Sequence, residues 1–452
     1  MSLTCQSLAG WRNLRRDGEA KLLLSARSWS ILLLLLLSLI LGFRTYNVAT
    51  KAQDGIDIES VEIALDLARG EKTNSEGHTH ARMPGFALLL FAVSQVDTRL
   101  REGLACSLAD RNGCKLQWYR SILIAQYVAA IGTMAVTLLL AWQLSRHWQT
   151  CVITLVLMAA TTRLVDWTGV VRPPIWYHFL IAVYLFLSLS AYRRRSLPFS
   201  IAGGMILGLS CLFEPFTALL IPVSVMLVGR RPGPRSDSIP SMLRALGLIG
   251  GACGGISLIW VASGLSYDTS AIYGYIARHM SERVAFNTLD NVEWVASLVL
   301  PMPLIGDWIA SAAPELNVRL GLPRHGSIAL HGLTTIFRDA LEHGGSSSGA
   351  ILWIFKQLIW QTLAGYLLAI PPIFNRGILG GGGLVALIGL FHVPRMIAYA
   401  RAEHRLNDLL VVLVPIVVLF LINTMLTGNG QWLNPMLVFL YIYAIAYVAG
   451  GW

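Results

Sequence analysis

Residues 31–43, 121–141, 150–162, 175–191, 201–229, 245–262 and 408–424 run almost without a charged side chain. No other feature restricts the fold so tightly. A helix packed on a water-soluble core carries its apolar residues as a stripe, with polar residues on the opposite face. These runs have no polar face. In hydrocarbon the backbone N–H and C=O groups find partners only within their own segment, so uninterrupted apolar runs of this length form helices. The strands of an outer-membrane barrel would alternate polar and apolar residues over about ten positions, and none of these runs does. Composition agrees: 55% of the 452 residues are hydrophobic and 13% are charged, against about 25% charged in soluble domains. The fold class expected is all-α and polytopic, with lipid as the solvent.

The net charge of +10 does not call for nucleic acid, because the basic residues gather in short clusters between the apolar runs. These are Arg12, Arg15, Arg16, Lys21 and Arg27; Arg193, Arg194 and Arg195; Arg230, Arg231 and Arg235; and Arg395, Arg401 and Arg405. Such clusters mark cytoplasmic loops. Placing them all on one side gives a cytoplasmic basic tail over 1–28 and a transmembrane module over 29–263. A long outer or interfacial region follows over 264–377, and C-terminal transmembrane helices over 378–452. The first span covers about 29–48 and is read as a retained anchor; a cleaved signal peptide is the alternative, but no clear small-x-small site follows the Leu-rich core Ile31–Leu41. Further spans are expected near 119–143, 150–165, 174–191, 199–213, 215–229, 243–263, 378–393, 408–424 and 434–450. The pieces Trp294–Ala310 and Ile351–Phe374 either both cross or both lie at the interface, giving about ten or about twelve spans.

The charge rule also requires that Met83–Val96, too short for a span at about fourteen residues, lies along the outer surface. Residues 44–118 then form one outer loop with two juxtamembrane helices. In the first, Asp57–Arg69, the residues Ile58, Val61, Leu65 and Ala68 make one stripe, with Glu59, Glu62 and Asp66 turned to water. The second starts at Pro84, a residue suited to a first helical turn. Cys106 and Cys114 share this loop, where oxidation allows a disulfide. No CxxC or HExxH pattern occurs. The run Gly380–Gly383 lacks the Lys-Ser/Thr ending and preceding strand of a phosphate loop, and reads as close helix packing.

The chemistry-bearing residues collect in the outer loops. Lys51–Arg82 holds Asp54, Asp57, His78, His80 and Arg82, followed at once by Pro84-Gly85. The second outer loop supplies Arg163, Asp166 and Arg172. Glu214 stands at the expected tip between two apolar runs, and Arg278 and His279 open the long outer region. Each has a plain structural alternative. Asp57 or Asp54 serves equally as a helix N-cap, Arg82 as an anchor among lipid headgroups, the two histidines as solvated loop residues, and Glu214 as a helix-terminal charge facing water. Trp167, Trp176 and Tyr177 read as an interfacial aromatic belt.

In order and topology these features resemble the GT-C glycosyltransferases that use polyprenyl-phosphate-linked sugars, in particular the branch with protein O-mannosyltransferases and the lipid A aminoarabinose transferase. The resemblance rests on the acidic helix start Asp54-Gly-Ile-Asp57-Ile-Glu59 and on His80-Ala-Arg82-Met-Pro84-Gly85. It rests too on the glycine-bearing span from Ile201 to Glu214-Pro215, and on the ending Gly428-Asn429-Gly430-Gln431-Trp432-Leu433-Asn434-Pro435. It covers most of 1–263 and 378–450. Two positions depart from the family pattern: Glu214 stands where Arg or Lys is usual, and Gln431-Trp432 replaces Arg-Tyr.

The resemblance implies an inverting transferase on the outer, periplasmic face of a bacterial-type inner membrane. It would move a sugar from a polyprenyl-phosphate donor to a glycan, lipid or protein acceptor. Such transfer needs a base for the acceptor hydroxyl and cationic groups for the departing phosphate. Asp57 is the expected base with Asp54 as second choice; Arg82, helped by His80 or His78, is expected to hold the phosphate, with Arg278 and His279 as further candidates. No cofactor is fixed, and the histidines leave room for a divalent metal. Two other classes stay open. A transporter or flippase of a lipid-linked substrate should show two related halves, and no convincing repeat is visible. A non-catalytic scaffold would account for Glu214 and Gln431-Trp432.

Overall fold

The computed structural model describes residues 56–70, 83–109, 113–145, 167–229, 238–262 and 405–426, with scattered positions in 35–42, 151–155, 345–352 and 394–402. Among the described residues every regular element is helical and there is no strand. In chain order the helices are α1 (Ile58–Arg69), α2 (Pro84–Val96), α3 (Thr98–Ala109), α4 (Arg120–Ser145), α5 (Pro174–Arg194), α6 (Leu197–Cys211), α7 (Leu220–Val228), α8 (Ser238–Ala262) and α9 (Leu406–Leu426). Two 3-10 turns, Leu116–Tyr119 and Pro215–Leu219, lead into α4 and α7.

Two of these helical stretches, Leu116–Leu144 and Pro174–Arg194, are long and apolar enough to cross a membrane. The span expected over 215–229 takes another form. Pro215 and Pro222 limit the backbone N–H groups available there, and the segment begins as the 3-10 turn and continues as the nine-residue α7, about 14 Å long. The expected spans 378–393 and 434–450, nearly all of 150–165, and the pieces 294–310 and 351–374 lie outside the described residues. Of the first anchor, helical positions within 35–42 are described. It touches α4 through the Tyr127 hydroxyl, which donates to the Ser38 carbonyl at 2.5 Å.

Basic residues expected on a common side do meet at one end of the bundle. Arg193, in the last turn of α5, donates from Nε and Nη2 to Asp408 Oδ2 at 2.9 and 2.8 Å, joining the end of α5 to the start of α9. Arg405 Nη1 reaches the Leu144 carbonyl at the end of α4, at 3.4 Å. Arg244 Nε reaches the Val228 carbonyl at the end of α7, also at 3.4 Å. Guanidinium groups therefore tie α5 and α4 to the start of α9, and α7 to α8, and two of them complement the partial negative charge of helix C-terminal carbonyls. The core between them is continuous, from Leu140 and Tyr184 through Leu207 and Leu248 to Val412 and Ile416.

The tightest contact in the bundle is between α6 and α8. Gly204 and Gly208 on α6, and Gly251 and Gly255 on α8, form two small-xxx-small pairs that face each other. A Cβ on Gly204 would overlap the Leu248 carbonyl and one on Gly208 the Ala252 carbonyl; on Gly251 and Gly255 it would overlap the carbonyls of Ile201 and Met205. Backbone-to-backbone approach of this kind supplies the dispersion contacts that hold helices together where burial from water contributes little. Gly250 and Gly254, on another face of the same helix, have no such neighbour within 4 Å. Gly204→Ala and Gly251→Ala should each destabilise the chain by about 1–3 kcal/mol through overpacking. Gly254→Ala should be neutral or raise stability by up to about 1 kcal/mol from helix propensity. Thermal unfolding of the three variants in one detergent checks the difference.

Candidate functional site

At the end opposite the arginines, the described residues between 56 and 119 fold into a small helical layer with its own core. Three helices, not the expected two, build it, because Asp97 starts an additional one: its Oδ1 accepts the Arg99 N–H at 3.0 Å, and α3 follows directly. Val61, Ala64 and Leu65 of α1, Phe86 and Leu90 of α2, and Leu100 and Leu104 of α3 pack with Tyr119, Ile122 and Val171 into one cluster. Cys106 and Cys114 are joined by a disulfide with Cα atoms 5.8 Å apart. Beside it the Tyr119 hydroxyl donates to the Gly103 carbonyl at 2.7 Å and lies 2.5 Å from Ser107 Oγ. α3 and the start of α4 thus form one unit.

The buried face of α1 differs from the expected stripe. Ser60, Val61, Ile63, Ala64 and Leu65 are buried, while Ile58 and Ala68 are only partly so. Glu59, Glu62 and Asp66, expected to face water, are also partly buried and each engages a partner. A single stripe presumes one packing surface. α1 is instead covered by α2, α3 and the segment around Val171, so more of its circumference is enclosed.

Two backbone hydrogen bonds tie the starts of α1 and α2 to the segments that precede α5 and follow α6. The Asp57 N–H donates to the Val171 carbonyl at 3.2 Å, and the Gly85 N–H donates to the Leu212 carbonyl at 2.8 Å. The first joins the start of α1 to the second outer loop; the second joins the start of α2 to the turn before Glu214. Gly85 is needed at this crossing, because an added Cβ would come within 2.7 Å of the Leu212 carbonyl oxygen and 2.8 Å of the Phe213 ring. Pro84 occupies the first turn of α2, where its missing N–H costs nothing. The Pro84-Gly85 dipeptide therefore ends the polar stretch with a helix start and a close backbone contact.

Asp57 sits at this junction and is 9% exposed. It occupies the N-cap position of α1, yet its carboxylate makes no capping bond to the helix backbone. Oδ2 instead accepts the Ser60 hydroxyl at 2.9 Å. The carboxylate lies at the helix start, where it suits the helix dipole, and is oriented by a hydroxyl one turn along. Arg172 follows Val171 directly and is partly buried, so the Asp57–Val171 bond holds a guanidinium-bearing residue beside the carboxylate-bearing one.

Glu214 is 0% exposed, which overturns its reading as a helix-terminal charge facing water. It precedes the 3-10 turn in extended backbone conformation and lies within electrostatic range of Tyr177 and Cys211. Thr217 Oγ1 donates to the Tyr177 hydroxyl at 3.1 Å. Tyr177 and Trp167 are buried as well, and Trp167 stacks on His178 with ring centroids 4.6 Å apart. These two belong to the interior, not to an interfacial belt; Trp176 is half-buried. Trp167 before α5 and Tyr177 in its first turn thus both point inward.

Asp54, His78, His80, Arg82, Arg163, Asp166, Arg278, His279, Gln431 and Trp432 lie outside the described residues. Of the expected site residues, Asp57, Arg172 and Glu214 are described; one backbone bond joins Asp57 to the residue before Arg172, and the other ends two residues before Glu214. Among the described residues no group of three His, Cys, Asp or Glu side chains comes together as a metal-ligand set. Sequence reasoning missed Gln126, a fully buried amide on α4 that donates from Nε2 to the carbonyls of Trp167 (2.9 Å) and Val170 (2.7 Å). Its one legible signal is an amide inside an apolar run, a residue type that bonds across helices.

Gly85→Ala should loosen the crossing and cost about 1–3 kcal/mol, read as a lower unfolding midpoint and faster hydrogen exchange at residues 85–88. Cys106→Ser with Cys114→Ser should cost about 2–4 kcal/mol of loop stability, checked by limited proteolysis between α3 and α4. In comparison with known proteins, no protein-family model, no curated protein and no solved structure matches this chain.

Proposed function

We propose that this chain is a membrane-integral glycosyltransferase that moves a sugar from a polyprenyl-phosphate donor to an acceptor hydroxyl, with its site in the layer formed by the outer loops. The observation that carries the reading is the placement of Asp57. A buried carboxylate, oriented by Ser60 and not used to cap its helix, is tied through its own N–H to the loop that bears Arg172.

In the proposed reaction Asp57 takes the proton of the acceptor hydroxyl as its oxygen forms a bond to the anomeric carbon. The bond from that carbon to the phosphate oxygen breaks, and the polyprenyl phosphate leaves with the electron pair. Arg172, together with Arg82 as the resemblance implies, offsets the charge growing on the phosphate; a guanidinium engages two phosphate oxygens at once. Inversion at the anomeric carbon follows from the resemblance. The two long apolar helices support a membrane setting, in which the prenyl tail stays in the bilayer. The oxidised Cys106–Cys114 pair supports an outer location for the loop, since disulfides persist in oxidising compartments.

One observation favours a second reading. Glu214 lies wholly inside the bundle, and ionisable residues in such positions often mark ion or substrate pathways; a transporter of a lipid-linked substrate would use it. Assay with labelled polyprenyl-phosphate sugars in detergent separates the two. Asp57→Asn should lower turnover roughly 10²- to 10⁴-fold, as for loss of a general base, and Arg172→Ala should lower it while Arg172→Lys restores part. Turnover that persists in both Asp57→Asn and Asp54→Asn removes the site. Substrate movement across vesicles without transfer, abolished by Glu214→Gln, replaces the enzyme reading.

A further inference from the structure

We infer that Gln126 is a positioning residue for the Asp57 site: its carboxamide holds the second outer loop so that the Val171 carbonyl meets the Asp57 N–H. The inference deepens the proposed function and rests on that reading for its catalytic consequence, but its geometric part stands alone. Gln126 is 0% exposed and sits in the second turn of α4. Both hydrogens of its Nε2 are used, on Trp167 (2.9 Å) and Val170 (2.7 Å), more than forty residues away along the chain. The next carbonyl after Val170 is that of Val171, which accepts from Asp57 at 3.2 Å.

Two carbonyl acceptors three residues apart in the segment, both held by Nε2, set its height above α4 and its rotation. One bond would act as a pivot; two fix the direction in which the next carbonyl points. Asp57 therefore takes its place from α4, a long helix embedded in the bundle, through a chain of three hydrogen bonds. The neighbouring contacts reinforce this path. Trp167 is buried in the same cluster as Ala129, Ala130 and Ile175, and Val171 is buried among the side chains of α1 and α2. A leucine at 126 would fill the space, but its side chain has no hydrogen to give either carbonyl. A glutamic acid keeps the shape and, when protonated, offers one O–H where the amide offered two N–H groups.

Hydrogen–deuterium exchange of the full chain in detergent, read at the Asp57 amide, tests the geometry without altering the site. Gln126→Leu should raise exchange at Asp57 by about tenfold or more, as expected when a protected amide opens locally. Gln126→Glu should fall between Leu and the native residue. Thr137→Val, which removes a fully buried hydroxyl from the same helix, should leave Asp57 unchanged. Exchange along α6 and α8 should match the native chain in all three variants; where Gln126→Leu also loosens α6 and α8, the Glu variant decides.

Unchanged protection of Asp57 in both Gln126 variants overturns the inference whether or not the chain transfers sugars. With transfer present, Gln126→Leu should lower kcat on the order of 10²-fold, the scale of a small misplacement of a reacting group, while KM for the donor stays within about twofold. A fall confined to KM, or an unaltered kcat alongside faster exchange, likewise overturns the positioning role. Failure of the native chain to transfer any sugar counts against the proposed function only, and leaves the exchange result to decide the role of Gln126.

Discussion

The arrangement of the outer layer depends on two main-chain hydrogen bonds, Asp57 to Val171 and Gly85 to Leu212. Each joins segments that are distant in sequence, and each uses a donor at the start of a helix, where the first N–H groups have no partner within the helix. A helix start is thus a natural place for one loop to grip another. Through these bonds α1 and α2, which are too short to be stable alone in water, are fastened to the ends of α5 and α6. Their apolar faces then close over Tyr119, Ile122 and Val171. The main chain thus sets Asp57 beside the residue before Arg172, and Gly85 beside the residue two before Glu214.

The two ends of the molecule are built from different chemistry. At one end, Arg193, Arg244 and Arg405 reach helix C-termini and Asp408. At the other, carboxylates, hydroxyls and a disulfide predominate. α5 runs between the two ends, and its 21 residues correspond to about 31 Å, close to the thickness of a bilayer's hydrocarbon core. Between the ends, glycine contacts let α6 and α8 approach until their backbones touch.

Much of the helical framework was legible in the sequence because it follows from local rules. The uncharged runs gave α4, α5, α6, α8 and α9 to within a few residues; Pro84 marked the start of α2, and the acidic residues before Val61 marked that of α1. What escaped has a common physical origin, namely contacts between segments far apart in the chain. The burial of Glu59, Glu62 and Asp66 requires knowing that α1 is enclosed from more than one side. The burial of Trp167 and Tyr177 requires knowing how α4 and α5 pack with their neighbours. Glu214 is flanked by Phe213 and Pro215, and neither neighbour tells whether that turn faces solvent or is capped by α2. Gln126 makes no contact within its own helix that would distinguish it from Gln143. The GxxxG spacings at Gly204 and Gly251 were present in the sequence, but only the pairing of α6 with α8 says which of the glycines of α8 are used.

The covalent link between Cys106 and Cys114 sets the order in which such a chain matures. Helices such as α4 and α5 complete their hydrogen bonds as soon as they leave water. The layer above them is finished only when two thiols lose their hydrogens to an electron acceptor. A newly made chain can therefore hold all its long helices and still be immature, and the supply of oxidising equivalents governs that last covalent step.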